Sequence, residues 1–237
     1  MNQDRSFLKI AAIAGFVTAV TTFLLWLLPK FYAPPATFDE GILLHKNSAY
    51  LAKQWVNFLH IPFALLAYFG LTVLLVKRQA VKAIFGMLWF GIWGAVEMSG
   101  VAIILFSVNY NWRTTYETAD MAQKVALRTN IEGFYSVWDS LFFVLLIAFL
   151  LGTLFFGWAT WRSKGLEKIL SYLFWMAVPL TLLIILDNYA NQSWAGQLTK
   201  AVYPILQPVS RFILGLFLWK QSTRIEKEPS KEFVTIS

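Results

Sequence analysis

Long apolar runs alternate with short polar segments along the whole chain. Six of the runs are long enough to cross a bilayer as a helix, which takes about 20 residues. They cover residues 7–28, 54–76, 83–108, 133–161, 169–186 and 201–219. Runs of this length with so few charges predict an all-α polytopic membrane protein, built as a six-transmembrane-helix bundle.

Two of the polar segments carry helical signals of their own. In "TFDEGILLHKNSAYLAKQ", Thr37 and Glu40 have the spacing of a capping box, and apolar and charged residues are mixed before the second run. The segment "TADMAQKVALRTNIEG" has the same mixed character before the fourth run. Both segments are therefore predicted to form short interfacial helices.

Small residues mark one side of the third run. Gly91, Ala95 and Ser99 recur at every fourth position. Small side chains at this spacing let a neighbouring helix approach closely. They predict that this side of the third helix is closely packed.

The amino-acid composition indicates a lipid environment. Hydrophobic residues make up 58% of the chain and charged residues 14%, whereas a soluble domain carries about 25% charged residues. No linker-like segment divides the chain, so residues 1–224 are predicted to form one transmembrane domain and residues 225–237 a charged cytoplasmic tail. The chain contains no cysteine, which excludes disulfides, thiol nucleophiles and thiolate metal ligands.

Lysine and arginine are distributed unevenly between the two sides of the predicted bundle. With a cytoplasmic N-terminus, 12 of the 20 Lys and Arg residues fall on the inner side and 7 in the outer loops. The inner connections "KRQAVK" and "RSKGLEK" are also very short. The positive-inside rule therefore predicts that both termini are cytoplasmic. This topology explains the net charge of +7, which gives no argument for nucleic acid and makes membrane lipids the expected partner.

Six polar or charged side chains interrupt the predicted spans, and they are the candidate ligand-binding residues. They are Asn57, His60, Glu97, Asp139, Gln207 and Arg211. At about 1.5 Å of rise per residue, the four ionisable members lie roughly 9–15 Å below the outer ends of their helices. This common depth predicts one polar cluster in the outer half of the membrane.

Charges inside a membrane need compensation, because a charged side chain that faces lipid costs about 2.5–3.5 kcal/mol. The similar depths predict that Glu97 pairs with Arg211 and that His60 pairs with Asp139. A dry, fully paired cluster would lock the helices together. A cavity that reaches the cluster would instead indicate a binding or catalytic site.

Motifs of known catalytic chemistry are missing from the sequence. It contains two histidines and no HExxH spacing, which argues against zinc, and a bis-histidine haem would need a second histidine within a span. There is no P-loop, GxGxxG or GxSxG motif. We therefore expect neither a metal nor a cofactor.

The stretches "GAVEMSG" around Glu97 and "PVSRFILGLFLWK" around Arg211 resemble an uncharacterised bacterial six-transmembrane membrane-protein family, a domain of unknown function. This resemblance extends loosely over the six runs and implies a protein of the bacterial inner (plasma) membrane, without an activity. The chain is more distantly similar to membrane sterol-isomerase-like bundles, which place His, Glu and Asp in a lipid-accessible cavity. No motif of those bundles matches this sequence residue by residue.

Three functions are compatible with these observations. The first is binding or transport of a small molecule or lipid at the polar cluster. The second is an intramembrane enzyme in which His60, Glu97 and Asp139 act as acid and base groups. The third is a structural or accessory subunit whose polar side chains lock helices together.

Overall fold

The computed structural model describes the backbone of residues 2–227 and the side chains of residues 5–224. All secondary structure in this range is helical, which confirms the predicted all-α class. In chain order the elements are α1 (Asn2–Leu27), a 3₁₀ turn (Leu28–Phe31), α2 (Phe38–Leu43), a second 3₁₀ turn (Leu44–Lys46), α3 (Ser48–Ala102), a π-helix (Ile103–Arg113), α4 (Thr114–Thr118), α5 (Met121–Thr160), α6 (Leu166–Tyr189) and α7 (Ser193–Lys227). α7 thus passes the predicted domain boundary at residue 224, and the rest of the predicted tail lies outside the described residues.

The long helices have the length and surface of membrane spans. Within residues 2–227, five helical stretches are long and apolar enough to cross a bilayer. Large apolar side chains cover their outer surfaces, where Ile10, Val81, Val137 and Ile205 are each more than half exposed. A soluble monomer rarely exposes contiguous apolar surface on this scale. The chain is therefore a multi-pass membrane protein.

α3 is 55 residues long. As a straight helix it would measure about 80 Å, far more than the roughly 30 Å hydrocarbon core of a bilayer. The chain leaves helical geometry at Gln79 (φ −143°, ψ 47°). The two arms on either side, residues 48–78 and 80–102, fold back on each other, and Tyr68 of the first arm stacks on Phe90 of the second. α3 thus holds two apolar runs as an antiparallel pair.

Helices that follow one another in the chain pack side by side, and α7 closes the bundle by packing on α1. These two helices run antiparallel, because Gly15 packs on Gly215 while Trp26, later in α1, meets Gln207, earlier in α7. The bundle therefore has two distinct ends. The terminal end carries residues 2, 79 and 227 and the connection 161–165, and the far end carries the connections 28–47, 114–120 and 190–192.

The two segments predicted as short helices differ in structure. α2 begins after Thr37, whose Oγ1 accepts a hydrogen bond from the backbone N of Glu40 (3.2 Å). The second segment does not form a separate short helix. Asp120 caps α5 by accepting a hydrogen bond from the backbone N of Gln123 (2.8 Å), and the helix then runs unbroken to Thr160.

The face of the third apolar run that was predicted to pack closely is exposed, so this prediction is wrong. Ala95 and Ser99 are exposed, and a Cβ added at Gly91 would meet no atom within 4 Å. The close contacts fall on Gly94 and Gly100, where neighbouring side chains would obstruct an added Cβ. Sequence spacing identified small residues, whereas the rotation of the helix about its axis decided which of them are buried.

Candidate functional site

A cavity of about 1050 Å³ lies between the helices on the far-end side of the bundle. Every long helix contributes to its wall, as do α2 and the π-helix. All six candidate residues from the sequence line this cavity, namely Asn57, His60, Glu97, Asp139, Gln207 and Arg211. The fold therefore brings onto one surface side chains that are far apart in the chain.

Arg211 lies at the inner end of the cavity and is 4% exposed. Its guanidinium carbon lies 4.5 Å from the centre of the Tyr68 ring, and the Tyr68 ring is stacked on Phe90 at 3.8 Å. The charge therefore rests on a buried aromatic cluster through a cation–π contact. Nε and Nη1 of Arg211 are buried and have no hydrogen-bond acceptor.

Glu97 does not pair with Arg211, so this prediction is wrong. Among the described residues, the acidic side chains in ion pairs are Glu117, Glu132 and Glu167. Glu97 instead lies near Asn57 and Lys53 of the first arm of α3 and near Trp93 of the second. Asn57 precedes Tyr68 by eleven residues on the first arm, which corresponds to about 16 Å of helix. The two side chains thus have neighbours on different turns of the first arm of α3.

His60 does not pair with Asp139, and this prediction is wrong as well. The Nδ1 of His60 lies 2.8 Å from Oγ1 of Thr21, because α1 is the helix that packs on the first arm at this level. The Thr21 hydroxyl also lies 3.0 Å from the carbonyl oxygen of Val17. A hydroxyl carries one proton. When Thr21 donates it to Val17, the Nδ1–H of His60 is the donor and Nε2 remains as an acceptor.

Asp139 lies at the opening of the cavity. Together with Glu132 and Ser136, it belongs to a side of α5 that lines the cavity and is also exposed. Glu132 is held by an ion pair with Arg128 at 2.8 Å, whereas none of the ion pairs in the described part of the chain involves Asp139. The cavity is therefore open along this edge of α5.

A second buried arginine, Arg113, lines the cavity nearer the far end. Its Nη1 donates to Tyr50 Oη (3.0 Å) and Asn109 Oδ1 (2.7 Å), and its Nη2 donates to Tyr135 Oη (3.3 Å). Asn109 and Arg113 belong to the π-helix, a rare geometry that is often found near functional sites. Because the third apolar run was predicted to end at residue 108, Arg113 fell in an outer loop and was not among the predicted site residues. Its spacing of four residues from Asn109, at the end of an apolar run, was the available signal.

Buried polar atoms without a hydrogen-bond partner concentrate in the cavity wall. Six such side-chain atoms occur in the part of the chain that the structure describes, and five of them belong to residues that line the cavity. These five are Thr22 Oγ1, Asn57 Oδ1, Arg113 Nε, Arg211 Nε and Arg211 Nη1. Native proteins satisfy nearly all buried polar groups. Bound water, an ion or a ligand explains groups of this kind in native structures.

The rest of the cavity wall is largely apolar. Along α5 the lining extends from Ile131 through Phe142 to Phe149, which corresponds to about 27 Å of helix. Phe38 and Ile42 of α2 cover the far end. The space is thus an elongated, amphipathic pocket, at the upper end of the roughly 300–1,000 Å³ that small-molecule sites occupy.

A half-buried ion pair that was not predicted from the sequence lies outside the cavity. Glu167 at the start of α6 pairs with Arg78 at the end of the first arm of α3. The Glu167 side chain is 8% exposed and that of Arg78 is 50% exposed. The pair joins two helices at the terminal end and does not line the cavity, so its role is structural.

The fold and the cavity define the class of protein: a multi-pass, all-helical membrane protein with a polar cavity among its helices. No protein family, no curated protein and no solved structure matches the chain. Within the described residues, no three His, Asp or Glu side chains gather closely enough to hold a metal ion. The chemistry of the cavity itself therefore carries the functional interpretation.

Proposed function

We propose that this protein binds a small amphiphilic molecule or lipid in the cavity. It does so as a six-span protein of the bacterial inner membrane with both termini in the cytoplasm. In this topology the cavity lies in the outer half of the bilayer and opens along α5. The observation that carries the proposal is the concentration of unpartnered buried polar atoms in the wall of a cavity of about 1050 Å³.

A purely structural role would require the polar residues to satisfy one another. Arg211 takes part in no ion pair of the described residues, and both Arg211 and Glu97 line open space. Burying charged groups without partners is costly. Membrane proteins keep such groups mainly where they face a cavity or a ligand. These features favour a binding site over a set of helix locks.

Acid–base catalysis receives less support from the same geometry. His60 is buried and bound to Thr21, whereas Asp139 lies at the opening. These two groups therefore do not act as a pair. Ligand binding requires only that they line the same space, which they do.

The proposed topology is supported by the break in α3 at Gln79, which allows this helix to cross the membrane twice. The short basic connections "KRQAVK" and "RSKGLEK" both lie at the terminal end, and the positive-inside rule places that end in the cytoplasm. We expect a green fluorescent protein fused to the C-terminus to fluoresce. Activity of a C-terminal alkaline phosphatase fusion, which works only outside the cytoplasm, would contradict this orientation.

The accessibility of the cavity can be tested with single cysteines, because the chain contains none. Ser136 lines the cavity, whereas its neighbour Val137 does not and is 58% exposed on the apolar surface. A membrane-impermeant maleimide added to intact cells should modify Ser136→Cys readily and Val137→Cys hardly at all, because a thiol in lipid does not ionise. Equally slow modification of the two variants would mean that the cavity is not open to the outside.

Binding is then measured on the purified protein in dodecyl maltoside micelles, as the degree to which an added amphiphile slows maleimide modification of Ser136→Cys. The probes are laurate, dodecyl phosphate, monolaurin and dodecyltrimethylammonium. We expect at least one of them to slow modification saturably at Ser136→Cys and not at Thr118→Cys, because Thr118 is exposed outside the cavity. If no probe protects Ser136→Cys selectively, the proposed function is wrong.

A further inference from the structure

The two buried arginines of the cavity differ in how their charge is satisfied. Arg113 donates three hydrogen bonds to neighbouring side chains. Arg211 is equally buried, at 4% exposure, yet its Nε and Nη1 are enclosed without an acceptor. The Tyr68 ring contacts the guanidinium through its π face, which supplies no lone pair to accept an N–H hydrogen bond. Donor capacity at the inner end of the cavity is therefore unused.

No carboxylate among the described residues compensates the Arg211 charge. Glu97 forms no ion pair with Arg211, and Asp139 lies at the opening. A guanidinium stays protonated inside proteins, and an uncompensated buried charge is strongly destabilising. The chain thus maintains a cation in an apolar setting at a cost that its own side chains do not offset.

Neutral groups beside Arg211 suit an anion. Gln207 lies one turn earlier on α7, and its Oε1 accepts a hydrogen bond from Trp26 Nε1 (3.3 Å). This contact orients the amide and leaves its NH₂ group available as a donor. Both Gln207 and Arg211 line the cavity, so two kinds of donor face the same space.

We propose that Arg211 receives the anionic group, a carboxylate or a phosphate, of a single-chain amphiphile bound in the cavity. The anionic head lies at the inner end over Tyr68, and the chain lies against the apolar α5 side chains such as Phe142 and Phe149. This inference rests on the proposed function and adds the charge of the ligand and its orientation. It explains why a buried arginine without a carboxylate partner is placed at the end of an elongated apolar wall.

The test measures thermal unfolding of the full-length protein in dodecyl maltoside with each of five additives: laurate, dodecyl phosphate, monolaurin, dodecyltrimethylammonium and inorganic phosphate. We expect laurate or dodecyl phosphate to raise the melting temperature more than the neutral and cationic amphiphiles do. Arg211→Gln should weaken binding of the anionic amphiphile by about tenfold or more, which is the range that charge-assisted hydrogen bonds supply. Arg211→Lys should retain part of the preference, because it keeps the charge.

Lys53→Gln is the matched control, since it removes another positive charge from the same cavity wall. The preference for anionic amphiphiles should survive this change. Without ligand, Arg211→Gln should unfold at the same temperature as the native protein or higher, because an uncompensated charge has been removed. A lower unfolding temperature together with an unchanged ligand preference would make Arg211 a structural residue and overturn the inference.

The remaining outcomes separate the two proposals. If inorganic phosphate raises the melting temperature as much as dodecyl phosphate does, Arg211 binds an anion, but the proposal that this anion belongs to an amphiphile is refuted. If monolaurin protects Ser136→Cys and neither anionic amphiphile does, the cavity binds amphiphiles and the role of Arg211 is wrong. If no amphiphile protects Ser136→Cys, the proposed function itself fails.

Discussion

Replacing Gly15 by alanine should weaken the contact between α1 and α7 that closes the bundle. Gly15 and Gly215 face each other there, and a Cβ at position 15 would lie 2.8 Å from the Cα of Gly215. Carbon atoms in optimal contact are about 3.5–4.0 Å apart, so the two helices would have to separate by roughly 1 Å. Because the obstacle is backbone, no side-chain rotation relieves the overlap.

The magnitude of the effect follows from two opposing contributions. Overpacking a tight contact costs about 1–3 kcal/mol. The upper part of this range applies, because a gap of about 0.5–1 Å forfeits a quarter to a half of each dispersion contact along the interface. Alanine regains about 1 kcal/mol of helix propensity relative to glycine. We therefore expect Gly15→Ala to lower the free energy of unfolding by about 1–2 kcal/mol.

Gly91→Ala is the matched control, because a Cβ added at Gly91 meets no atom within 4 Å. It should leave the free energy of unfolding unchanged or raise it by up to about 1 kcal/mol through helix propensity alone. Both variants are unfolded in dodecyl maltoside by titration with sodium dodecyl sulfate, and helix content is followed by circular dichroism. If Gly15→Ala is as stable as Gly91→Ala, the close approach of α1 and α7 is refuted.

Two further predictions concern polar contacts and use the same unfolding measurement. Arg78→Gln should destabilise the protein, because it leaves the Glu167 carboxylate buried without its partner. Breaking a fully buried pair costs roughly 3–5 kcal/mol. We expect a smaller loss here, since the Arg78 side chain is 50% exposed. The double variant with Glu167→Gln should recover part of that loss, and strictly additive effects would show that the pair does not interact. Thr21→Val should cost about 1 kcal/mol by removing the partner of His60, whereas Thr21→Ser should be close to native. Equal losses in the two Thr21 variants would attribute the effect to packing and not to the hydrogen bond.

The sequence was sufficient for the class of protein. An apolar run long enough to cross a bilayer is a local property of the chain, and its meaning does not depend on what packs against it. The candidate residues could be identified for a related reason: a charge such as Glu97 or Arg211 within an apolar run is costly wherever the helix lies. These residues all line one cavity in the folded protein.

The partners of those residues depended on the tertiary structure. Depth along each helix suggested Glu97 with Arg211 and His60 with Asp139, but depth alone says nothing about which helices are neighbours or how each is rotated. α1 packs on the first arm of α3, so His60 meets Thr21, and the Arg211 guanidinium lies over the Tyr68 ring. Arg113 entered the cavity wall because the helix beyond the third run continues as a π-helix. Each of these contacts depends on helix order, axial rotation and register, which arise from packing between distant parts of the chain and not from residue spacing within one run.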